Sequence, residues 1–227
     1  MKTLGIIGGL GPETTSEFYL ELIFSCKKLN KINYPHILIN SIDLPFNIEK
    51  DAIAEGVGEE RCLPYLINAA KSLEKAGADF LVLPCNSLHI FINDIRNAVK
   101  IPVLSILEET SKFLKEQKVN KVGIIATPIT IRNKLYEKSL KKNKIKQIIP
   151  NALDQVKIGK LIHNLVSSRY DNKDREILMK IIKNFTTVKY VILACTDLQL
   201  LMPQNSEVKI YDTMKILVDA TVRNIIK

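Results

Sequence analysis

No apolar run in this chain of 227 residues approaches the roughly 20 residues that a membrane-spanning helix needs. No membrane partner is therefore expected. The first residues, MKTLGIIGG, lack the charged head, long apolar stretch and small-residue cleavage site of an export signal. The chain is accordingly read as cytoplasmic. Its four cysteines, Cys26, Cys62, Cys85 and Cys195, are too few and too far from an export context to suggest a disulfide framework, and are read as thiols. Acidic residues are outnumbered, with 24 Asp and Glu against 33 Lys and Arg, a formal charge of +9. The basic residues are nevertheless spread along the chain. Their densest run, KSLKKNKIK at 138–146, contains no aromatic residue to stack on a base. A solvated lysine surface is the simplest reading, attraction of small anions the next, and no nucleic-acid partner is expected.

What is present is a globular composition, 46% hydrophobic and 25% charged, long enough for one large domain or two small lobes. Strand and helix patterns alternate. TLGIIG (3–8) leads through glycines into a helical pattern over 12–29, and YPHILINS (34–41) reads as a second strand. An amphipathic helix over 58–77 closes at Gly77, with Pro64 in its first turns. DFLVLP is a third strand, NSLHIFINDIRNAV a helix and IPVLSI a fourth strand. KVGIIAT (121–127) restarts the rhythm, with a helix over 129–142, a short strand IKQIIP, and helices over 154–168 and 173–185. VKYVILA (188–194), VKIYD and a helix over 212–226 complete it. Such alternation implies parallel βα units with helices on both sheet faces.

The chain also repeats itself. LGIIGGLGPETT is echoed by VGIIATPITIRN, and ADFLVLPCNSLHI by VKYVILACTDLQL. The pattern predicts an α/β protein of two three-layer αβα lobes related by a pseudo-twofold axis, each with a mostly parallel sheet. Residues 1–100 plus 208–227 are assigned to the first lobe and 101–207 to the second. Ligands of open α/β sheets bind beyond the carboxyl ends of the strands. Two such edges facing each other bring Cys85 and Cys195 into one cleft.

Each of these cysteines sits where a strand hands over to a helix, and unpaired N–H groups and the helix dipole there favour a thiolate. Asn86 and Ser87 after the first, and Thr196 and Asp197 after the second, can cap or hydrogen-bond. The same amides can hold a carboxylate. Two thiols on opposite faces of one carbon form a two-base device, in which one removes a proton and the other returns one. The carbanion between those steps needs donors around the substrate carboxylate. Other features attract simpler readings. Cys26 and Cys62 lie within helical patterns and read as small hydrophobes. Cys85 and His89 at i, i+4 lack the further ligands zinc would need, so no metal site is expected. GGLGP lacks dinucleotide-loop spacing, and Gly9 within it reads as part of a tight turn bringing backbone near the substrate. His36 and His163 read as packing or surface residues.

The segments GIIGGLGPETT, PCNSLH and ACTDLQLL resemble the signatures of the cofactor-independent aspartate/glutamate racemase family, in order and over essentially the whole chain. The resemblance implies two lobes with the site between them, no cofactor, a homodimer, and an amino-acid substrate, aspartate or glutamate first among them. It implies that Cys85 and Cys195 are the paired catalytic cysteines, and the presence of both implies the reversible reaction. It further implies substrate contacts from Gly9, Thr15, Asn86, Ser87, Thr127, Thr130 and Thr196, with His89 supporting the Cys85 loop and Tyr211–Thr213 matching the closing segment. The chain departs from the family pattern at Ala194, Asp197, Ile129 and Leu217. Aspartate-specific members carry an arginine soon after the second strand; here LPFNIEKDAI offers only Lys50, a point charge and not a planar clamp. Lys157 and Lys160 are the candidate cations of the second lobe, Lys160 being assigned to the site. Alternative readings are a lyase or cis–trans isomerase of a small dicarboxylate, resembling arylmalonate decarboxylase or maleate isomerase, or a non-catalytic small-molecule binding protein.

Overall fold

The computed structural model describes residues 1–29, 33–202 and 206–226. Its first half runs β1 (Leu4–Gly8), α1 (Pro12–Leu29), β2 (Ile37–Ser41), α2 (Phe46–Glu49), a π-helical turn (Lys50–Glu55), α3 (Leu63–Lys75), β3 (Phe80–Val82), α4 (Ile92–Ala98), β4 (Val103–Leu104) and α5 (Ile106–Glu116). The second runs β5 (Lys121–Ala126), α6 (Pro128–Arg132), α7 (Glu137–Lys142), β6 (Lys146–Ile148), α8 (Ala152–Val166), α9 (Asn172–Lys183), β7 (Tyr190–Ala194), β8 (Lys209–Asp212) and α10 (Thr213–Ile226). The strands form two parallel sheets, ordered β2-β1-β3-β4 and β6-β5-β7-β8. Identical order in both is the duplication seen in the sequence, now in space. Among the described residues no helix is both long and apolar enough to cross a membrane.

Side-chain alternation along the strands divides the interior between two layers. Leu4 and Ile6 of β1, Phe80 and Val82 of β3, Val122 and Ile124 of β5 and Ile192 of β7 point to a cluster with Phe18, Leu22, Leu114, Leu217 and Val222 from α1, α5 and α10. Ile7, Leu81, Ile125, Val191 and Leu193 point the other way, toward α3, α8 and α9. Both clusters cross from lobe to lobe. Each fully buried Leu or Ile contributes about 1.5–3 kcal/mol relative to exposure, so the lobes share one stability. Gly5 and Gly123 occupy matching places in β1 and β5 where a neighbour presses on the strand. A Cβ at Gly5 would lie 2.5 Å from Leu81 and 3.0 Å from Ala78, and at Gly123 2.8 Å from the Phe185 ring.

Several helices differ from the sequence reading. The helix expected over 58–77 begins as a 3₁₀ turn, Glu59–Cys62, after Gly58 at positive φ. Pro64 then falls in the first turn of α3, where its missing N–H costs nothing. NSLHIFINDIRNAV opens as a 3₁₀ turn, Ser87–Phe91, before α4. The helix expected over 129–142 is two, α6 and α7, parted at Lys134 (φ 51°). The break turns Tyr136 inward, to 2% exposure. Neither α5 nor the helical stretch 46–55 was expected from the sequence pattern. Strand β8, in the segment assigned to the first lobe, pairs with β7 in the second sheet, while α10 packs on α1 and α5.

Gly123→Ala is expected to lower stability by about 1–3 kcal/mol through overpacking against Phe185, seen as a lower urea midpoint with an unchanged slope.

Candidate active site

Cys85 follows β3, and Cys195 follows β7 directly. These strands are third and seventh in the chain and hold the same place in their sheets, each flanking the central β1 or β5. Their carboxyl ends face one another across the lobe interface, and both sulfurs line one cavity of about 810 Å³. Asn86 and Ser87 line it beside the first thiol, and Thr196 and Asp197 beside the second. The first-lobe wall adds Gly11, Pro12, Glu13, Glu49 and Phe46, and the second-lobe wall adds Leu165, Val166, Tyr170 and Leu200.

Buried hydrogen bonds lock the first thiol's loop to the second lobe. The Tyr136 hydroxyl donates to Asn86 Oδ1 at 2.5 Å, Asn86 Nδ2 donates to Thr213 Oγ1 at 3.0 Å, and Thr213 donates to the Leu193 carbonyl of β7 at 2.9 Å. Ser87 and Thr127 hydroxyls meet at 2.7 Å, and Thr127 also caps α6, accepting from the Thr130 N–H at 3.3 Å. His89, 2% exposed, completes the loop. Its Nε2 accepts from the Ile106 N–H at 3.1 Å, so Nδ1 carries the proton and donates to the Cys85 carbonyl at 2.7 Å. Burial lowers the imidazole pKa to about 4.

Burial, not the helix end, dominates the thiols. Cys85 is pushed up to about 12 by desolvation, against the amides of Leu88 and Ser87 that favour its anion. Cys195 is also pushed well up, by burial and then by the negative charge of Asp197. Position at a helix start is therefore outweighed by burial, because the neighbouring amides do not replace the lost hydration. Asp197 bridges the lobes. Its Oδ2 accepts from Cys195 Sγ at 3.5 Å and its Oδ1 from the Thr14 hydroxyl at 2.9 Å. Burial raises its pKa as well, which makes its carboxylate a stronger proton acceptor.

Of the residues assigned to the site from sequence, Cys85, Cys195, Asn86, Ser87 and Thr196 line the cavity. Gly9 and Thr15 shape the turn behind it. Thr15 Oγ1 accepts from the Gly9 N–H at 3.0 Å, and at φ 82° a Cβ on Gly9 would strike the Ile42 backbone at 2.5 Å. Thr127 and Thr130 stand one layer back, behind Ser87. Lys50 and Lys160 are exposed and do not line the cavity, and Lys157 pairs with Asp154 at 2.8 Å. Glu13 and Glu49 were not singled out from sequence. Both sit on helix turns, where a carboxylate ordinarily reads as solvated. The glycine loop preceding Glu13 was the one signal that could have found it.

A two-lobed α/β protein with a thiol at each facing sheet edge defines the class. The sequence pattern of the Asp/Glu/Hydantoin racemase family matches residues 7–221, and the chain belongs to that family; its named relatives include amino-acid racemases, which are isomerases. It is similar to the broad specificity amino-acid racemase RacX of Bacillus subtilis (strain 168), at 31% identity over 225 residues and 96% of each chain. Its structure is similar to that of an aspartate racemase homologue from Pyrococcus horikoshii OT3, with TM-score 0.82, 28% identity and full coverage of both chains. The Picrophilus torridus aspartate racemase shares the fold at TM-score 0.81 and 22% identity, over 99% of this chain and 94% of that one.

The neutral, buried His89 has a pH signature. Its folded pKa, about 4, lies below the ordinary 6.5, so on acidification the unfolded chain takes up the proton first. Its contribution is intact above pH 6.5 and is lost as pH falls toward 4, by roughly 3 kcal/mol in full. His89→Gln can keep both hydrogen bonds without titrating. Between pH 7 and 5 its urea midpoint is expected to fall less than that of the unsubstituted protein; parallel falls would exclude the assignment.

Proposed function

We propose that the protein inverts amino acids at Cα by two-base proton transfer between Cys85 and Cys195, without pyridoxal phosphate. The observation that carries this reading is that the two thiols, from opposite lobes and matching strand ends, line one cavity. One sulfur, as thiolate, takes the Cα proton, and the electron pair stays on the carbon and spreads into the carboxylate. The opposite thiol delivers its proton to the other face. The enzyme is left with thiolate and thiol exchanged, ready for the reverse reaction.

The raised thiol pKa values bear on this chemistry. A buried thiol surrounded by carboxylates resists ionisation until positive charge arrives, and an amino-acid substrate brings an ammonium group with it. Asp197, 3.5 Å from Cys195 Sγ, is placed to accept that thiol's proton once the ammonium compensates the charge. Activation would thus depend on the substrate, which limits unproductive oxidation of the free thiols. Residues 86–87 and 196, immediately after the two sulfurs, are the candidates to hold the α-carboxylate.

The expected preference for aspartate or glutamate needs a cation for the distal carboxylate. Among the described residues no lysine or arginine lines the cavity. The proposal is therefore an amino-acid racemase whose substrate is not set by an acidic side chain.

In deuterium oxide under reducing conditions, the enzyme is expected to exchange and invert the α-proton of an amino acid. Cys85→Ala and Cys195→Ala are each expected to lower inversion by about 10²–10⁴-fold, the usual worth of a positioned acid or base. Inversion that survives loss of either thiol would rule out the two-base mechanism.

A further inference from the structure

We propose that Glu49 makes this cavity selective for amino acids with a cationic side chain, an amine or guanidinium on an aliphatic stem. The inference rests on the racemase reading of the same cavity and extends it to the substrate's side chain.

Charge is the first argument. Glu13, Glu49 and Asp197 all line the cavity, and among the described residues it has no lysine or arginine. The net charge of +9 therefore gives the wrong sign for this cleft. Lys50, next to Glu49 in sequence, is exposed outside the lining. Arg61 and Arg132 are engaged elsewhere, with Asp51 and Glu59.

The donors of that wall are also taken. A distal substrate carboxylate would look for the amides at the start of α1, the electropositive end of a long helix. The Gly11 N–H already donates to Glu49 Oε1 at 2.9 Å, and the Thr14 hydroxyl donates to Asp197. The chain's own carboxylates thus stand where an acidic side chain would be held. An incoming carboxylate would have to displace them and then face them.

The carboxylates repel one another. Glu49 is raised by burial, lowered by the Gly11 amide, then raised by Asp197 and Glu13, and Asp197 is raised by burial and also by Glu13. A bound cation relieves this repulsion, whereas an anion adds to it. Two cations suit the site better than one. Asp197, beside Cys195, is near the reacting carbon and can balance the α-ammonium, which leaves Glu49 for a second positive group.

Shape agrees with a long side chain. The cavity lining also includes apolar side chains, Phe46, Ile53, Leu165, Val166 and Leu200, against which a methylene stem can pack. Phe46 is 89% exposed, so packing its ring on a substrate stem removes apolar surface from water, and its face can also receive a cation.

The test compares lysine, ornithine and arginine with norleucine, the uncharged analogue of lysine, and with aspartate and glutamate. Cα–H exchange in deuterium oxide is followed for the unsubstituted enzyme and for Glu49→Gln. The lysine-to-norleucine ratio of kcat/KM is expected to be at least about tenfold, as for one charge-assisted hydrogen bond. In Glu49→Gln it is expected to fall toward unity, while aspartate gains relative to lysine. The ratio in the unsubstituted enzyme decides the matter even if the variant does not fold. Equal turnover of norleucine and lysine, or a preference for aspartate or glutamate, would overturn the selectivity and leave the racemase intact. A ratio that Glu49→Gln leaves unchanged would overturn the role of Glu49. No exchange with any amino acid would instead remove the racemase reading on which both depend.

Discussion

The side chain of Asn86 is held at both ends by groups anchored to the second sheet's half of the molecule. Its oxygen accepts from Tyr136 and its nitrogen donates to Thr213, whose hydroxyl is tied in turn to the backbone of β7. These groups are buried, and leaving any one of them unpaired would cost about 1–3 kcal/mol. The network therefore fixes the carboxyl end of β3 relative to that of β7. The two thiols, one and two residues from these anchor points, inherit their alignment from it. The break between α6 and α7 is best understood in the same light, because a continuous helix would not turn Tyr136 inward.

Rigidity at this junction has an electrostatic cost. Drawing Cys85, Cys195 and Asp197 out of water raises all three pKa values, and each charge formed there must be balanced by something that arrives. Protein interiors seldom keep several carboxylates in one cavity without a cation. Here the first-lobe amides and hydroxyls partly satisfy them, and the remainder is a negative field directed into the cleft. The reading of the cleft as an active site and the reading of its selectivity thus draw on one imbalance.

The architecture was largely legible because it is written locally. Strand alternation, the repeated segments and a cysteine at the end of matching strands all depend on neighbours close in sequence. The site was legible only as far as that locality extends. Cys85, Asn86 and Ser87 form one short stretch, and so do Cys195 and Thr196. Glu49 was hidden because its role arises from the contact of segment 46–55 with a distant glycine loop. Lys50 drew notice as the cation of its segment, yet one residue along a helical turn rotates the side chain by roughly 100°, enough to send it into solvent while Glu49 faces the cavity. The thiol pKa values were misread for a related reason. Position at a helix start is a local property, whereas depth of burial belongs to the assembled lobes.

Strand β8 and helix α10 carry a consequence for how the chain reaches this form. The second sheet receives its edge strand only from residues 209–212, and the layer that joins the lobes is closed by α10 lying on α1 and α5. Contacts between opposite ends of the sequence raise the mean loop that must close before they form, and topologies of this kind fold slowly. During synthesis the first sheet can pair early, but the shared layer stays open until residues 213–226 emerge. Until then Phe18, Leu22 and Leu114 lack the apolar partners that cover them in the finished protein. The late arrival of that helix leaves this apolar face uncovered on the nascent chain, the kind of surface through which folding intermediates aggregate.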